Sequence, residues 1–407
     1  VDVKDLTETD LPHTLGRSHM NKIIYIGMDV HSSNFTLCSF EPGYGFEADK
    51  IFGQTQIKED IFNSTVKYIN KLKSMRPDVD VICGYEAGGL GYNLHRKLKA
   101  KEIESVILAP TTMAVARNSS KKKNDYRDAI TIAKCLASSA YKAVYIPDEK
   151  DEDVRDFIRM RDDHKTALKQ IKQQLNAFCL RHGHHYDKPK WTGLHLNWLR
   201  KLELSKVQRE TVEEYLATYE ALTSKIAALD VRIEDIASEE RYSEKVNKLK
   251  CIKGIKTHIA LSFVCEIGDF NRFKSADKFS GFIGLVPGEC SSGNTERMLG
   301  ITKAGNRHLR RLVVEISNTY RRGAVGRKSV ALRERQKDMP KDVVAYADKA
   351  TNRCQRKYQR MMFKGKNSNQ AVAAVARELC CFIWGMMTGH YSRTAQAEAS
   401  VYRSELD

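Results

Sequence analysis

Four carboxylates hold the positions in this 407-residue chain that best suit chemistry. Asp29 and Glu86 each end an apolar, strand-like run, and Asp125 and Asp128 open an apolar-periodic segment. Acids three residues apart share one face of a helix. Hard divalent cations choose oxygen ligands, and a pair of them can activate the attacking and leaving oxygens of a phosphodiester. The four acids therefore predict a Mg²⁺ site that cuts or rejoins nucleic acid.

Each acid alone is weak support for a metal site. An Asp at a strand end more often caps a turn or a helix, and the helix dipole favours acids in a solvated first turn. Their joint placement is stronger, because two strand ends and one helix start can converge on one point. A carboxylate cluster without a cation would repel itself and raise its own pKa values.

The charge of the chain fits a polyanionic partner. Lys and Arg exceed Asp and Glu, which gives a formal net charge of +17. A basic soluble protein without such a partner would have the same balance, so charge alone leaves both interpretations open.

The cysteines and the hydropathy of the chain indicate its cellular compartment. The ten cysteines are scattered, without a Cys-x-x-Cys pair, which is typical of reduced thiols in the cytoplasm. We find no apolar run of membrane-spanning length and predict no membrane partner. Residues 1–19 are interpreted as a non-native leader, with the natural start at Met20.

The elements that position the acids alternate between strand and helix patterns over residues 20–149. Their order predicts a mixed sheet with covering helices, and in such sheets ligands bind beyond the carboxyl ends of the strands. The predicted helices lie at about 58–75, 90–101 and 126–139. The predicted strands are Lys22–Asp29, Asn34–Phe40, Lys50–Gln54, Asp80–Tyr85, Ser105–Leu108 and Ala143–Ile146.

Residues 150–248 read as helix and contain a heptad seam with alternating spacings of three and four. This alternation favours a coiled coil, between chains or within a hairpin, over simple packing of an amphipathic helix inside one chain. The seam is Val212, Tyr215, Tyr219, Leu222, Ile226, Leu229, Ile233 and Ile236.

An earlier helix over about 151–181 presents a row of cations. The row is either a solvated face or a surface that binds a nucleic-acid backbone. Its members are Arg155, Arg159, Arg161, Lys165, Lys169, Lys172 and Arg181.

The predicted domain over 249–392 opens with a possible phosphate-binding turn. Residues 250–256 begin a helix that continues through Ala260, and they are similar to a helix-hairpin-helix whose turn could place Lys253 and Lys256 beside a phosphate. The usual second glycine is Lys256 here, so a plain helix start remains an equal alternative.

Two further features of this domain bear on chemistry. Ser292 lies in a small polar loop and is a weak nucleophile unless a neighbouring group activates it. A basic helix follows the serine loop and could hold a target phosphate through Lys303, Arg307, Arg310 and Arg311.

The rest of this domain is predicted from composition. Residues 324–369 form another basic stretch, and residues 370–388 form an apolar helix of the core.

Cys179, His182, His184 and His185 invite a zinc interpretation. Structural zinc needs a second ligand pair at a matching spacing, and none is obvious in the sequence. A His-rich helix end or a nucleic-acid contact is the better hypothesis.

Several of these segments resemble one protein family. Three segments are similar to the DEDD motif of a RuvC-like domain. They are Ile26-Gly27-Met28-Asp29, Tyr85-Glu86-Ala87-Gly88-Gly89 and Lys123-Asn124-Asp125-Tyr126-Arg127-Asp128-Ala129. Five later segments are similar to the C-terminal half of proteins in the same family. They are Ile252-Lys253-Gly254-Ile255, Arg272-Phe273, Gly284-Leu285-Val286-Pro287, Ser291-Ser292-Gly293 and the run from Ile301 to Arg311. From Met20 to about Tyr391, the chain resembles the DEDD transposases of the insertion-sequence one-ten family, related to Piv-type invertases.

The resemblance implies an RNase-H-like (RuvC-like) α/β domain over 20–149, a helical coiled-coil segment over 150–248 and a mostly α transposase domain over 249–392. We expect residues 393–407 to be a flexible tail. The resemblance further implies that Asp29, Glu86, Asp125 and Asp128 bind Mg²⁺ and that Ser292 attacks DNA. It also implies donor and target DNA, an element-encoded noncoding guide RNA and a dimer or tetramer as partners, in the bacterial cytoplasm at the nucleoid.

These expectations predict an RNA-guided DNA recombinase that works through a phosphoserine intermediate. Two alternatives remain. A metal-only junction resolvase or nuclease would use water as its nucleophile, and a non-catalytic nucleic-acid scaffold would bind equally well without the four acids.

Overall fold

The structure, a computed structural model, describes residues 22–43, 48–113, 124–289 and 298–391. It divides into two compact units, Val1–Ile146 and Pro147–Asp407. The predicted leader and the predicted C-terminal tail lie outside the described residues.

The first unit is built on a mixed five-stranded sheet of order β3-β2-β1-β4-β5. β1 runs antiparallel to β2, β2 runs antiparallel to β3, and β1, β4 and β5 are mutually parallel. The strands are β1 (Lys22–Val30), β2 (Phe35–Glu41), β3 (Lys50–Ile57), β4 (Val79–Glu86) and β5 (Ser105–Leu108). The helices are α1 (Ile61–Met75), α2 (Asn93–Lys99) and α3 (Asp125–Ala137).

Helices cover both faces of this sheet. On one face, Ile24, Ile26 and Met28 of β1 are fully buried in a core that includes side chains of α1 and α2. On the other face, Ile132 and Leu136 of α3 pack into a smaller cluster. Strand residues alternate between faces, so both sides of the central strands must be apolar or small.

The predicted order of elements is confirmed for the first unit, with one strand wrong. Ala143–Ile146 is not a strand: Ala143 makes one isolated antiparallel bridge to Leu108. The predicted third strand is also longer, because β3 continues to Ile57. The Ala143–Ile146 segment has the apolar residues of a strand, but it pairs with the sheet at one residue only.

A helical hairpin dominates the start of the second unit. α4 and α6 each contain 33 residues. They run antiparallel, because Lys150 pairs with Glu239 at 2.7 Å while His182 contacts Gln208 at 3.0 Å. The elements of this unit are α4 (Glu149–Arg181), α5 (Gly193–Arg200), α6 (Lys206–Ser238), α7 (Glu240–Lys250), α8 (Thr257–Ile267), α9 (Ala276–Ile283), β6 (Pro287–Glu289), β7 (Met298–Ile301), α10 (Arg307–Ser317), α11 (Val330–Gln336), α12 (Lys341–Phe363) and α13 (Ser368–Met387).

The predicted heptad seam lies along α6 and is buried unevenly. Its ends are covered within the chain, as Val212 and Ile233 have almost no exposed surface. Its middle, Leu222, Ile226 and Leu229, is half-buried. The hairpin therefore leaves a partly exposed apolar stripe at mid-length.

One hydrophobic core joins the base of the hairpin to the helices that follow. Val154 of α4 and Ile236 of α6 belong to the same buried cluster as α8, α10, α12 and α13. α13 corrects one expectation, because it is long and apolar enough to cross a membrane, with a mean hydropathy of 1.3. Ala371, Leu379 and Ile383 are nonetheless fully buried in the protein core, which confirms the predicted core helix.

Candidate active site

Two paired glycines position α3 against the sheet. Gly27 of β1 stands beside Gly84 of β4 in the parallel register. A Cβ on Gly27 would lie 2.0 Å from the carbonyl oxygen of Ala129 and 2.5 Å from the amide nitrogen of Ala133, both in α3. A Cβ on Gly84 would lie 2.7 Å from Leu136. The α3 backbone therefore lies directly on β1 at Gly27, where any side chain would hold it off, whereas Gly84 leaves room for the Leu136 side chain.

The predicted acids surround the N-terminus of this helix. Asp29 and Glu86 come two residues after the paired glycines, so both are on the α3 face at the carboxyl ends of their strands. α3 begins at Asp125, after Asn124 caps the helix by accepting a hydrogen bond from the Tyr126 amide at 3.0 Å. Asp128 follows in the first turn.

Three potential ligand atoms converge at this point. Asp29, His31 and Asp125 each offer one atom, and these atoms lie within 4.8 Å of one another. The imidazole Nε2 of His31 is 3.3 Å from Oδ2 of Asp29. Glu86 and Asp128 are outside this tight group, and the Glu86 residue is exposed.

His31 is the site residue that the sequence reasoning missed. It follows Asp29 by two residues and begins a turn in which its amide donates to the Asn34 carbonyl at 2.9 Å. The Asp-x-His spacing was the available signal, because a turn directly after a strand can fold a side chain back over the strand end.

The electrostatics of Asp29 fit a bound cation. Burial raises the pKa of its carboxyl group, the His31 imidazole lowers it, and the charges of Asp125 and Asp128 raise it further, with a net increase. Two carboxylate charges no more than 4.8 Å apart repel by at least about 3 kcal/mol at an effective dielectric constant of about 20.

Two buried side-chain oxygens at this site are not satisfied by protein hydrogen bonds. Oδ2 of Asp29 is buried and accepts no well-formed hydrogen bond, although the His31 Nε2 lies 3.3 Å away; the hydroxyl of Thr36, its neighbour across the β1–β2 ladder, is buried without a partner. A divalent cation would neutralise the acids and satisfy the orphaned oxygen. The residues present therefore fit a metal ion.

The predicted nucleophile lies in a loop that the structure does not describe. Residues 290–297, which include Ser291 and Ser292, are outside the described residues. The strands on either side of them, β6 and β7, pair antiparallel with Glu289 opposite Met298.

The predicted phosphate-binding cations fall into two groups. Lys256, Lys303 and Arg307 are exposed. Arg310 and Arg311 also serve the protein itself: Arg310 donates to the Ile283 carbonyl at 2.7 Å, and Arg311 is paired with Asp162.

The predicted hairpin turn is real, but its glycine has a packing role. α7 ends at Lys250 and α8 begins at Thr257, so residues 251–256 form the turn between two helices, and the helix predicted to open within residues 250–256 begins just after them. Gly254 has φ +88°, and a Cβ there would lie 2.9 Å from Ile316 and 2.8 Å from Thr319.

Lys253 in this turn is engaged by its neighbours. Its carbonyl accepts a hydrogen bond from the Tyr320 hydroxyl at 2.9 Å. Its ammonium group donates to the Arg322 carbonyl at 3.2 Å and lies 5.8 Å from the Tyr320 ring centroid. Burial lowers the pKa of this ammonium group. The Lys253 side chain therefore packs into the protein, while Lys256 remains exposed.

The cation row on α4 is largely an internal ion-pair network, which the sequence did not reveal. Arg159 donates to Glu266 at 2.8 and 3.0 Å, and Arg161 donates to Asp230 at 2.8 and 2.9 Å. Lys172 of the same row lies 5.3 Å from the ring centroid of Tyr219 on α6.

Asp162 is the buried centre of this network. Arg161, His258 and Arg311 all contact its carboxylate. Burial opposes its charge, but the hydrogen bonds and charges of His258 and Arg311 hold its pKa well below the usual range.

The four residues considered for zinc do not form one group: Cys179 is buried in a small core at the tip of the hairpin, whereas His182 and His185 are exposed, and His185 pairs with Asp187. His195 lies between Trp191 and Trp198, and Cys179 is buried beside them. Among the described residues, the group that could hold a metal ion is the one at Asp29, which gives no support to the zinc alternative.

Two family models match separate parts of the chain. A DEDD transposase model of the IS110 type matches residues 26–182, which contain all four acids. A second model, described as the transposase IS116/IS110/IS902 family, matches residues 246–328. A putative transposase, y4qE, of Sinorhizobium fredii is 31% identical over 364 residues, which are 89% of this chain and 88% of that protein. This chain belongs to the IS116/IS110/IS902 transposase family.

Other members are similarly close over most of their length. The transposase for insertion sequence element IS1533 of Leptospira borgpetersenii is 30% identical over 85% of this chain and 99% of its own. The transposase for insertion sequence element IS1111A of Coxiella burnetii is 25% identical over 73% and 78% of the two chains. Family membership makes DNA the expected substrate of this transposase and confirms the resemblance seen in its sequence.

Proposed function

We propose that this transposase mobilises an insertion element by RNA-guided cutting and exchange of DNA strands, through a phosphoserine intermediate and with Mg²⁺ held by the four acids. The observation that carries the proposal is the orphaned, buried carboxylate oxygen of Asp29 inside an acidic group in a member of a transposase family.

The fold of the first unit supports this assignment. Its sheet of three antiparallel strands followed by two parallel ones, in the order β3-β2-β1-β4-β5, supports the proposed RNase-H-like domain. In such a domain the acids at the ends of β1 and β4, together with those on α3, would form one RuvC-like site.

Asp29, Glu86, Asp125 and Asp128 would hold the metal ions, and His31 is placed to assist them. A bound divalent cation would supply Lewis-acid polarisation of the scissile phosphate. Asp29 and Asp125 would hold that charge next to the DNA, and α3 fixes the spacing of the helix acids against the strand acids.

Ser292 is proposed as the nucleophile. Its Oγ would form a bond to phosphorus while the bond from phosphorus to the leaving sugar oxygen breaks, and the serine proton would pass to that oxygen. The hydroxyl of a partner strand would then attack the phosphoserine and release Ser292. Each step conserves one phosphodiester-like bond, so the exchange needs no nucleotide cofactor.

Recognition is proposed to depend on base pairing with a noncoding RNA of the element. The exposed cations Lys256, Lys303 and Arg307 would contact phosphates and not bases. Ribonuclease treatment of the purified protein should abolish recombination, and the re-added RNA should restore it. Unchanged recombination after ribonuclease would refute guidance and leave the metal site untouched.

The metal assignment is tested by Asp29→Asn, which removes one ligand charge without touching the core. Strand cleavage should be abolished, while DNA binding and melting temperature remain close to wild type. Asp80→Asn is the matched control, because Asp80 is an exposed aspartate of the neighbouring strand β4 near its other end. Wild-type cleavage by Asp29→Asn would contradict the assignment.

The two alternative functions, a metal-only nuclease and a non-catalytic scaffold, predict different results in the same assays. A metal-only nuclease would cut DNA without forming a protein–DNA adduct. A scaffold would show no Mg²⁺-dependent cleavage at all and would function without the four acids.

Assembly is part of the proposal, as a dimer or tetramer joined through the half-buried seam of α6. If the acids of one chain work with the serine of another, a mixture of inactive Asp29→Asn and inactive Ser292→Ala proteins should regain part of the cleavage activity. Absence of activity in mixtures that demonstrably form hetero-oligomers would show that each site is built within one chain.

A further inference from the structure

A continuous basic face runs along α12. At 100° per residue, its members fall within about 100° of the helix circumference, and all but the half-buried Lys357 are exposed. The buried members, such as Ala347, Cys354 and Tyr358, occupy the opposite side and pack into the core. The members of the basic face are Lys349, Arg353, Arg356, Lys357, Arg360 and Lys364.

This face lines an open groove of about 590 Å³ between α12 and α13. Among its described lining residues, Glu378 is the acid, and it pairs with Arg353 and with Lys357, the latter at 2.6 Å. Within the described part of the chain, no acid pairs with Arg356 or Arg360. The groove therefore retains a strong net positive charge, which fits a polyanion.

An exposed aromatic ring stands at the end of the basic face. Phe363 is 94% exposed, the highest value among the large hydrophobic side chains of the described residues. This Phe contributes nothing to a core, and its aromatic face is open to a stacking partner.

The backbone that carries this ring is held by a helix cap and does not fray. Beyond the helix end, the Gly365 amide donates to the Met362 carbonyl at 2.9 Å, and the Lys366 amide donates to the Met361 carbonyl at 3.1 Å. Gly365 has φ +68°, which completes a Schellman cap. The cap holds Phe363 as the last helical residue, on the same side as Arg356 and Arg360.

We propose that this face of α12 binds an unpaired DNA strand, with its phosphates along Arg356 and Arg360 and one base stacked on Phe363. Successive cations one turn apart are separated by about 6 Å, a spacing that lets one extended strand follow the helix. Bases stack on aromatic rings only when they are not enclosed in a duplex, so a basic groove that ends in an exposed ring favours a single strand.

DNA is the occupant because family membership supplies DNA as the substrate. Strand exchange, the proposed function, requires strands that are transiently unpaired. The inference rests on that function only for its biological purpose, since binding of the strand needs no metal and no cleavage.

The test is fluorescence anisotropy of the full chain in EDTA, with a short labelled oligothymidine, a duplex of the same length and an oligouridine. Phe363→Ala should weaken oligothymidine binding about tenfold and change duplex binding by less than about twofold. Phe363→Tyr, which keeps an aromatic face, should restore the affinity. All variants should melt like the wild type, because the ring is exposed.

The charges are tested by the double variant Arg356→Gln and Arg360→Gln. It should lower the salt dependence of oligothymidine binding by about 1.4 in the slope of log affinity against log salt, about 0.7 for each lost phosphate contact. The matched control is Lys67→Gln with Lys71→Gln, two exposed cations with the same spacing on α1, which should leave the slope close to wild type.

Four results would overturn the proposal. They are unchanged oligothymidine binding in Phe363→Ala, an equal loss for duplex and single strand, a loss confined to oligouridine, and an equal effect of the α1 control. The third would assign the face to RNA. Since the assay contains no metal ion, none of these results depends on whether Asp29 or Ser292 acts as proposed.

Discussion

The substitution Gly27→Ala tests how the fold builds the acidic site. The added Cβ would meet the backbone of α3 at the Ala129 carbonyl and the Ala133 amide, which no side-chain rotation can relieve. To restore normal van der Waals contact, the helix must withdraw by the difference between 2.0 Å and 3.4 Å, about 1.4 Å.

This displacement has a cost in stability and in metal binding. Overpacking against a rigid backbone should cost about 3 kcal/mol, the upper end of the usual range. The same shift carries Asp125 away from Asp29, and metal ligands tolerate errors of only about 0.2 Å, so divalent-cation affinity should fall at least about tenfold.

Two other glycines calibrate the effect. Gly84→Ala should cost only about 1 kcal/mol, because its closest neighbours are methyl groups of Leu136 and Leu108, which can rotate away. Gly89→Ala should change stability by no more than about 1 kcal/mol, because its Cβ would meet nothing within 4 Å.

The assay must report on the first unit alone. All three tryptophans of the chain, Trp191, Trp198 and Trp384, belong to the second unit. Tryptophan fluorescence therefore does not report on the first unit, and hydrogen exchange is used in its place. Exchange of peptides from β1 and β4 should accelerate in Gly27→Ala, and calorimetry measures the affinity for Mn²⁺. Wild-type exchange and wild-type Mn²⁺ affinity in Gly27→Ala would refute the role given to the paired glycines.

Three further predictions concern the ion-pair network, the seam and the imidazole. Asp162→Asn should destabilise the second unit by about 3 kcal/mol or more by leaving buried cations unpaired, as read by tryptophan fluorescence in urea. Because its folded-state pKa is lowered, Asp162 stabilises the wild type fully above the ordinary carboxyl pKa of about 4, and this contribution declines below it; an identical acid dependence in the variant would contradict this. Leu222→Glu with Leu229→Glu should dissociate oligomers in light scattering, whereas Val231→Glu, 64% exposed and outside the seam, should not; intact oligomers in the seam variant would exclude the coiled coil. His31→Ala should weaken Mn²⁺ binding more than Mg²⁺ binding in calorimetry, since imidazole prefers transition metals; equal losses would show that His31 is not a ligand.

The sequence predicted the sheet and its acids because each depends on local pattern. Apolar runs that end in Asp29 and Glu86 indicate strands, and Asn124 before Asp125 indicates a helix start. The proximity of Asp29 and Asp125 agrees with the rule that ligands bind at the carboxyl ends of strands, whereas Glu86 lies outside their group. The sequence did not indicate that Gly27 and Gly84 stand side by side, because strand pairing is a long-range property.

The errors of prediction have the same origin. His31 was missed because its proximity to Asp125 depends on how a turn folds back over β1. The cations of α4 were interpreted as a surface, whereas Arg159 and Arg161 find carboxylates more than sixty residues away in the chain. The single strand predicted at Ala143 failed because apolar content does not guarantee a pairing partner.

The most direct test of the central claim is to locate the covalent bond between protein and DNA. Wild-type protein is incubated with DNA, the RNA of the element and Mg²⁺, quenched in denaturant, digested and examined by mass spectrometry. The account predicts a nucleotide attached to Ser292, an adduct that persists in Ser291→Ala and is absent from Asp29→Asn. DNA cleavage without any adduct, or an adduct on Ser291 in its place, would contradict the phosphoserine mechanism assigned to Ser292.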